Sequence, residues 1–380
     1  MLHFDTAEFT RRHRATRAAM EAAGLDALLL FAPESQYWLT GYDTFGYCFF
    51  QCLIWDGERS ALLTRSPDLR QAQLTSNIED IRIWKDGADV DPTRDLAALV
   101  AELGLSGKRL GVEWDTHGLT ARNGQRVAAA LEGSVLSDAS ALISPLRLVK
   151  SAPEIAYVRR AATLADDALD AALEATVPGA GEAEVFAAMH SAIYRGGGGA
   201  PGNPFIVGAG PHALLCRTQE GRATFLPDDQ LTLEWAGTYR HYHAACMRTV
   251  VIGTPRPQHA AMHAAVRDAL EACEAAMRPG RTMGEVFAAH ATTLDQAGFG
   301  AHRLNACGYA MGTRFAPSWM EREMFYEGAP TVMAPGMAFF LHMILMDSDS
   351  GTAMTLGRTS LITEAGAEPL NRHPLDMLRR

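Results

Sequence analysis

Pro227-Asp-Asp-Gln-Leu-Thr-Leu-Glu234-Trp-Ala-Gly-Thr-Tyr-Arg-His241-Tyr-His243-Ala-Ala-Cys-Met-Arg248-Thr249 decides the fold of the C-terminal half. It opens on a turn, runs into an alternating apolar strand, and ends that strand on one acid, Glu234. The same arrangement returns as Pro335-Gly-Met-Ala-Phe-Phe-Leu-His342, with a histidine in place of the acid. The helical segments upstream repeat as well. Ala168-Leu-Asp-Ala-Ala, Pro178-Gly179 and Glu184-Val-Phe-Ala-Ala188 recur as Ala269-Leu-Glu-Ala-Cys, Pro279-Gly280 and Glu285-Val-Phe-Ala-Ala289, each 101 residues later. Two such halves folded alike about a pseudo-two-fold axis bring Glu234 and His342 toward each other.

Past Glu234, a continued strand puts His241, His243, Ala245 and Met247 on one face and Arg248 on the other, because side chains alternate along a strand. Two histidines at i, i+2 chelate a metal when a third ligand joins them. They equally serve to bind a substrate, or sit half-buried and hydrogen-bonded in a sheet. The residues alone leave these readings open.

Working outward, Ser151 with Glu154 three residues on is a capping box, and Pro153 suits a first helical turn. Ile155, Val158, Ala162, Ala165 and Leu169 follow at helical spacing, so a long helix opens a second domain over residues 148–380. Residues 1–147 read as a separate α/β domain. Helices are predicted over 8–24 and 96–103, with strands over 27–31, 52–55, 58–63 and 110–113. The aromatic segment Tyr47-Cys-Phe49-Phe-Gln51 reads as an ordinary aromatic strand.

The chain has 380 residues, 34 Lys and Arg against 44 Asp and Glu, a net charge of −10, and 48% hydrophobic residues. That is a folded globular composition. Its acidic balance excludes a nucleic-acid partner, which calls for a basic face. The apolar run from Met337 to Met346 is interrupted by His342 and falls short of the ~20 residues a membrane helix needs, so no membrane partner is expected. No secretory signal is visible at the N-terminus, and the six cysteines lack CxxC spacing. A reduced, cytoplasmic protein is expected. Gly197, Gly199 and Gly202 form a literal GxGxxG, but it follows a helix and contains Pro201, so it reads as a mobile loop and not a dinucleotide site. Neither HExxH nor GxSxG occurs.

The stretch 227–249 resembles a degraded form of the motif of the "pita-bread" family of methionine aminopeptidases, Xaa-Pro peptidases and creatinases. The linker Leu146-Arg-x-Val-Lys-Ser-x-x-Glu154 and Tyr37-Trp-Leu-Thr-Gly41-Tyr are similar to the creatinase and prolidase branch. The resemblance implies an α/β fold: an N-terminal creatinase-like α/β domain, then a pita-bread domain with a pseudo-two-fold internal repeat. The peptidases of the family carry five metal ligands. Their positions fall here on Glu234, Ala245, Tyr309, His342 and about Gly357, so the resemblance implies no metal and no cofactor. The metal-free branch is the better comparison, and within it the ectoine hydrolases. Trp38-Leu-Thr-Gly-Tyr-Asp43, Gln51-Cys52, Arg240-His-Tyr-His243, Gly308-Tyr309 and Phe315-Ala-Pro-Ser-Trp319-Met-Glu321 are similar to that group. Arg217 and His342 depart from it. In creatinases the region around Tyr47 and Phe49 reaches into the partner subunit's cleft, which implies a homodimer.

Metal-independent hydrolysis of a C–N bond in a small polar amino-acid derivative is the expected activity, by opening of a cyclic amidine. A creatinase-like amidinohydrolase, a lyase on the same scaffold, and a non-catalytic binding protein are the alternatives. Glu234 is the expected nucleophile or base, or else a structural partner of Arg248 or Arg217. His342 is the expected proton carrier, because imidazole titrates near neutrality, or a core histidine. His243 and Tyr309 complete the catalytic set. Tyr309 would donate to an oxyanion or simply pack. Arg217, His241, Glu321, Trp319, Phe49 and Tyr47 are the expected substrate-binding residues, with Arg217 as a carboxylate clamp.

Overall fold

The computed structural model describes residues 2–177, 179–218 and 221–380. Pro178 of the first repeat copy lies outside the described residues. The chain divides into two compact units, residues 1–147 and 148–380.

The first unit starts with α1 (Thr6–Ala23), capped at its N-terminus by Asp5 and ended by left-handed Gly24. A mixed six-stranded sheet follows, in the order β4-β3-β2-β1-β5-β6. Its strands are β1 (Ala27–Leu30), β2 (Cys52–Trp55), β3 (Ser60–Arg65), β4 (Asp80–Trp84), β5 (Arg109–Val112) and β6 (Val135–Asp138). Helices α2 (Pro33–Thr40), α3 (Leu69–Thr75), α4 (Pro92–Glu102) and α5 (Ala121–Ala130) accompany it, and α6 (Ser144–Leu148) runs to the boundary. Leu28 and Leu30 pack in one core and Ala27 and Leu29 in another, so β1 is covered on both faces and reads as an unbroken apolar run. The expected strand around Tyr47 does not form. Residues Gly46–Cys48 make one 3₁₀ turn instead, leaving Phe49 exposed with Arg65 stacked 4.0 Å from its ring centroid.

The second unit holds α7 (Ala152–Ala175), α8 (Glu182–Arg195), β7 (Ile206–Ala209), β8 (Asp229–Tyr239) and β9 (Tyr242–Ile252). After them come α9 (Pro257–Ala276), α10 (Met283–Gln296), β10 (Ala306–Met311), β11 (Met324–Tyr326), β12 (Ala338–Asp347) and β13 (Thr352–Thr363), then β14 (Gly366–Pro369) and β15 (Leu378–Arg379). The main sheet runs β11-β10-β12-β13-β9-β8-β7. Thus β7-β8-β9 and β10-β12-β13 are equivalent sets, joined where β9 pairs with β13.

The duplication extends to the hydrogen bonding. Isolated bridges Gly181↔Thr224 and Thr282↔Val332 follow the same pattern, and their first members are 101 residues apart. Their second members are 108 apart, as are Glu234 and His342, so the second half has gained seven residues between its helices and its strands. Ser151 and Glu154 form the expected capping box on α7.

Alternation decides what each sheet face carries. Phe339, Leu341, Met343 and Leu345 of β12 join the core with residues of α9 and α10. Trp235 of β8 donates its indole N–H to the Ala165 carbonyl of α7 at 2.8 Å. A Cβ at Gly237 would lie 1.9 Å from the Ala161 carbonyl oxygen, so α7 approaches the sheet where only glycine fits. Residues of the other parity, Glu234 and His342 among them, point away from this helical layer. No helix among the described residues is long and apolar enough to cross a membrane.

Candidate active site

Glu234 and His342 belong to one row of residues running across the sheet. Pairing is in register through Ile206↔Glu234, Glu234↔Met247, Met247↔Gly357 and Gly357↔His342. Three strand steps of about 4.8 Å separate the two backbones by roughly 14 Å along the sheet. No hydrogen bond joins the two side chains among the described residues.

Tyr309 occupies the space between them. It pairs with Phe340 on the same face, donates its O–H to Glu234 Oε1 at 3.4 Å, and lies with its ring centroid 5.7 Å from that of His342. Trp319 Nε1 donates to the Tyr309 hydroxyl at 2.8 Å. All four residues are buried.

Burial sets the protonation of the site. Desolvation pushes the Glu234 carboxyl up to about 7, opposed by the positive charge of Arg217 and the Tyr309 hydrogen bond. No cationic side chain among the described residues forms an ion pair with it. Desolvation likewise pushes the Tyr309 phenol well above its ordinary value. His342 is lowered to about 4, first by burial and then by the charges of His290 and Arg217. It is therefore neutral near pH 7, a correction to the expectation that it titrates there, and its Nδ1 makes no hydrogen bond.

Arg217 is exposed, yet its field reaches Glu234, Tyr309 and His342 alike. It lines a cleft of about 280 Å³ with Asn203, Pro204, Ile206, Pro317, Ser318 and Met320. Ile206 is the cross-strand neighbour of Glu234, and Ser318 and Met320 flank Trp319. The cleft therefore lies beside the strand that carries Glu234 and the strap that carries Trp319.

Other expected site residues sit elsewhere. His241 is not on a strand: β8 and β9 meet in a two-residue hairpin turn, with Arg240 at φ 50° and His241 at φ 64°. Its ring stacks on Phe315 at 4.0 Å, and its carbonyl accepts from the Arg314 amide. His243 is in β9, where its Nε2 accepts the Gly202 amide at 2.9 Å. Burial and the neighbouring His241 lower His243 to about 3, so it is a neutral acceptor holding the glycine-rich loop. That loop is pinned, contrary to the expected mobile segment: Gly198 and Gly199 also donate, to Ile193 and Thr238. Glu321 is buried beside Arg314, with 3.9 Å between carboxylate and guanidinium. Tyr47 and Phe49 belong to the first unit.

Arg248 faces the helical layer, where Nη1 donates to the carbonyls of Gly357 and Met247, so it is no partner of Glu234. Asn203 was not anticipated. Its Oδ1 accepts the Trp319 amide at 3.1 Å, and only its turn setting, Pro201-Gly-Asn-Pro204, marks it in the sequence.

The donor set does not suit a two-metal centre. No three His, Cys, Asp or Glu side chains among the described residues converge on a common metal position. Ala245 and Met247 present apolar side chains on the relevant face. Gly357 is not a vacated ligand slot either, since a Cβ there would lie 2.6 Å from the Leu341 carbonyl oxygen.

The sequence model for metallopeptidase family M24 matches residues 156–364, more than half of the chain. The chain belongs to this family. The creatinase/prolidase N-terminal domain model matches residues 12–149. An uncharacterized hydrolase/peptidase of Sinorhizobium fredii is 30% identical over 391 residues, covering 100% of this chain and 99% of its own. The ectoine hydrolase of Halomonas elongata is 27% identical, covering 98% and 97%. A Xaa-Pro dipeptidase of Pyrococcus furiosus is 22% identical, covering 94% and 97%. Among solved structures, dipeptidase PepE from Mycobacterium ulcerans superposes with a TM-score of 0.84 at 27% identity over 99% of both chains. Prolidase from Thermococcus sibiricus reaches 0.89 at 18% identity over 99% of this chain and 100% of its own, a likeness of fold. The M24 assignment makes this chain a hydrolase on a pita-bread scaffold.

Proposed function

We propose that this M24 hydrolase opens a small cyclic amidine bearing a carboxylate, of the ectoine type, without a metal ion. One observation carries the reading: Glu234 is a buried carboxyl with a hydrogen-bond donor but no ion-pair partner among the described residues, held near a pKa of 7. A buried carboxylate is costly until a cation joins it, and an amidinium supplies that charge together with the reacting carbon.

In this reading, water adds to the amidinium carbon and its proton passes to Glu234, whose pKa suits transfer at neutral pH. Tyr309 donates to the new oxygen. Collapse of the tetrahedral carbon breaks one C–N bond; Glu234 returns its proton to the departing nitrogen and then relays the hydroxyl proton to it, leaving an amide and an ammonium group and a carboxylate at Glu234. Neutral His342 accepts an N–H of the ring, and Arg217, which lines the cleft, pairs with the carboxylate.

Turnover of ectoine and of Xaa-Pro dipeptides, measured with and without chelator alongside metal analysis, tests the proposal. Chelator-insensitive opening of ectoine by metal-free protein, lost in Glu234→Gln, is the expected result. Stoichiometric metal with metal-dependent dipeptide cleavage overturns it.

A further inference from the structure

We propose that Trp319 is a positioning residue for Tyr309: its indole N–H fixes the direction in which the phenol proton is donated. The inference rests on the functional reading above for its kinetic consequence, though not for its geometry. It replaces the expectation that Trp319 binds substrate.

An indole nitrogen only donates, whereas a phenol carries one proton and accepts through its oxygen. With Trp319 Nε1 at 2.8 Å, the Tyr309 oxygen is an acceptor on that side. Its own proton then has to go to the other side, where Glu234 Oε1 stands at 3.4 Å. That second bond is long, and the slack suits a donor that must also reach an oxygen forming on the substrate. Accepting from the indole polarises the phenol and strengthens its donation.

Trp319 is 1% exposed and is held from several directions. Its own amide donates to Asn203 Oδ1, and a Cβ at Gly202 would lie 2.7 Å from the Trp319 amide nitrogen. The strap between β10 and β11 that carries it is fastened at both ends. Phe315 stacks on His241 and the Arg314 amide bonds to the His241 carbonyl, while the Glu321 amide bonds to the Ala310 carbonyl. Two non-glycine residues adopt left-handed backbone in the Arg240-His241 turn, a conformation costing about 1 kcal/mol or more each. The strain is retained where the turn anchors this strap.

Replacing Trp319 by benzothienylalanine, through nonsense suppression, keeps the ring shape and removes the N–H. Two readouts decide the outcome. In protein labelled with ¹³C at the phenol carbon of tyrosine, the signal lost in Tyr309→Phe should shift and broaden in the isostere, with no substrate needed. In turnover of ectoine, kcat should fall roughly 30-fold with KM within about two-fold, and the isostere should add nothing in a Tyr309→Phe background. An unaltered Tyr309 signal overturns the proposal, as does a wild-type kcat in the isostere or a full additional loss in the double variant. If wild-type protein does not open ectoine, the reading of the function fails, and the phenol signal alone decides whether Trp319 positions Tyr309.

Discussion

Glu234 and His342 hold the same place in the two halves of the repeat and stand on one cross-strand row, with Met247 and Gly357 between them. Duplication usually makes equivalent positions alike. Here the two positions carry an acid and an imidazole, and Met247 and Gly357 between them offer no side-chain nitrogen or oxygen. Tyr309 touches both Glu234 and His342, through a hydrogen bond to the first and a ring contact with the second.

Glu234→Gln should be more stable than the wild type in alkaline solution and equally stable in acid. The folded-state pKa of about 7 lies above the ordinary 4.5, so the folded chain keeps a proton that the unfolded chain releases. Stability is then fully present below pH 4.5 and lost as pH rises through 7, by about 3 kcal/mol in all. Denaturant unfolding at pH 4.5 and pH 8.5 checks this. Activity should fall by about three orders of magnitude, the mark of a stability cost retained for function. Equal pH dependence in the two proteins would place the Glu234 pKa in its ordinary range.

His342→Asn should behave in the opposite sense. With its pKa at about 4 against 6.5, the imidazole contributes stability that is present above pH 6.5 and lost as pH falls toward 4. The wild type should therefore lose about 3 kcal/mol over that window that the variant keeps. Catalysis should drop by about 10- to 100-fold while the acid limb of the rate profile stays, since that limb belongs to Glu234. Disappearance of the limb in the variant would return the titration to His342.

The repeat is legible in the sequence because its helical segments recur at one offset, and the Glu234–His342 relationship because each residue closes a matching turn and alternating apolar run. The tip of the β8-β9 hairpin is not. A tight two-residue turn ordinarily announces itself with Asn or Gly, and Arg240-His241 carries neither, so His241 reads as one more strand residue. The Trp319–Tyr309 hydrogen bond escapes for another reason: it depends on where a non-repetitive strap lies, and no local period encodes that. Likewise the position of Glu321 beside Arg314 follows from the strap's return to β10. The neutral state of His342 is invisible until burial is known.

Gly202→Ala should damage the site without touching a reacting group. The added methyl would meet the Ser318 carbonyl and the Trp319 amide at 2.7 Å, both backbone atoms that cannot swing away. Relief requires the strap to move off Tyr309. A loss of about 1–3 kcal/mol in stability is expected from such overpacking, with kcat reduced at least ten-fold. Normal kcat in a destabilised variant would show that the strap tolerates displacement.

Arg217→Gln should weaken substrate binding far more than it slows the chemistry. Arg217 is exposed, lines the cleft with Ile206 and Met320, and is not hydrogen-bonded to Glu234. A paired, charge-assisted hydrogen-bonded contact to the substrate carboxylate contributes about 1–2 kcal/mol, so KM should rise roughly 10-fold with kcat within about three-fold. Arg217→Lys should recover only part of the affinity, because an ammonium cannot make the paired hydrogen bonds of a guanidinium. A second effect separates this role from simple attraction. Arg217 holds the Glu234 carboxyl down, so its loss should move the acid limb of the rate profile to higher pH. A substrate analogue with a neutral carboxamide should bind wild type and Arg217→Gln equally well. If the carboxamide instead suffers the same loss as the carboxylate, Arg217 shapes the cleft and does not grip the anion.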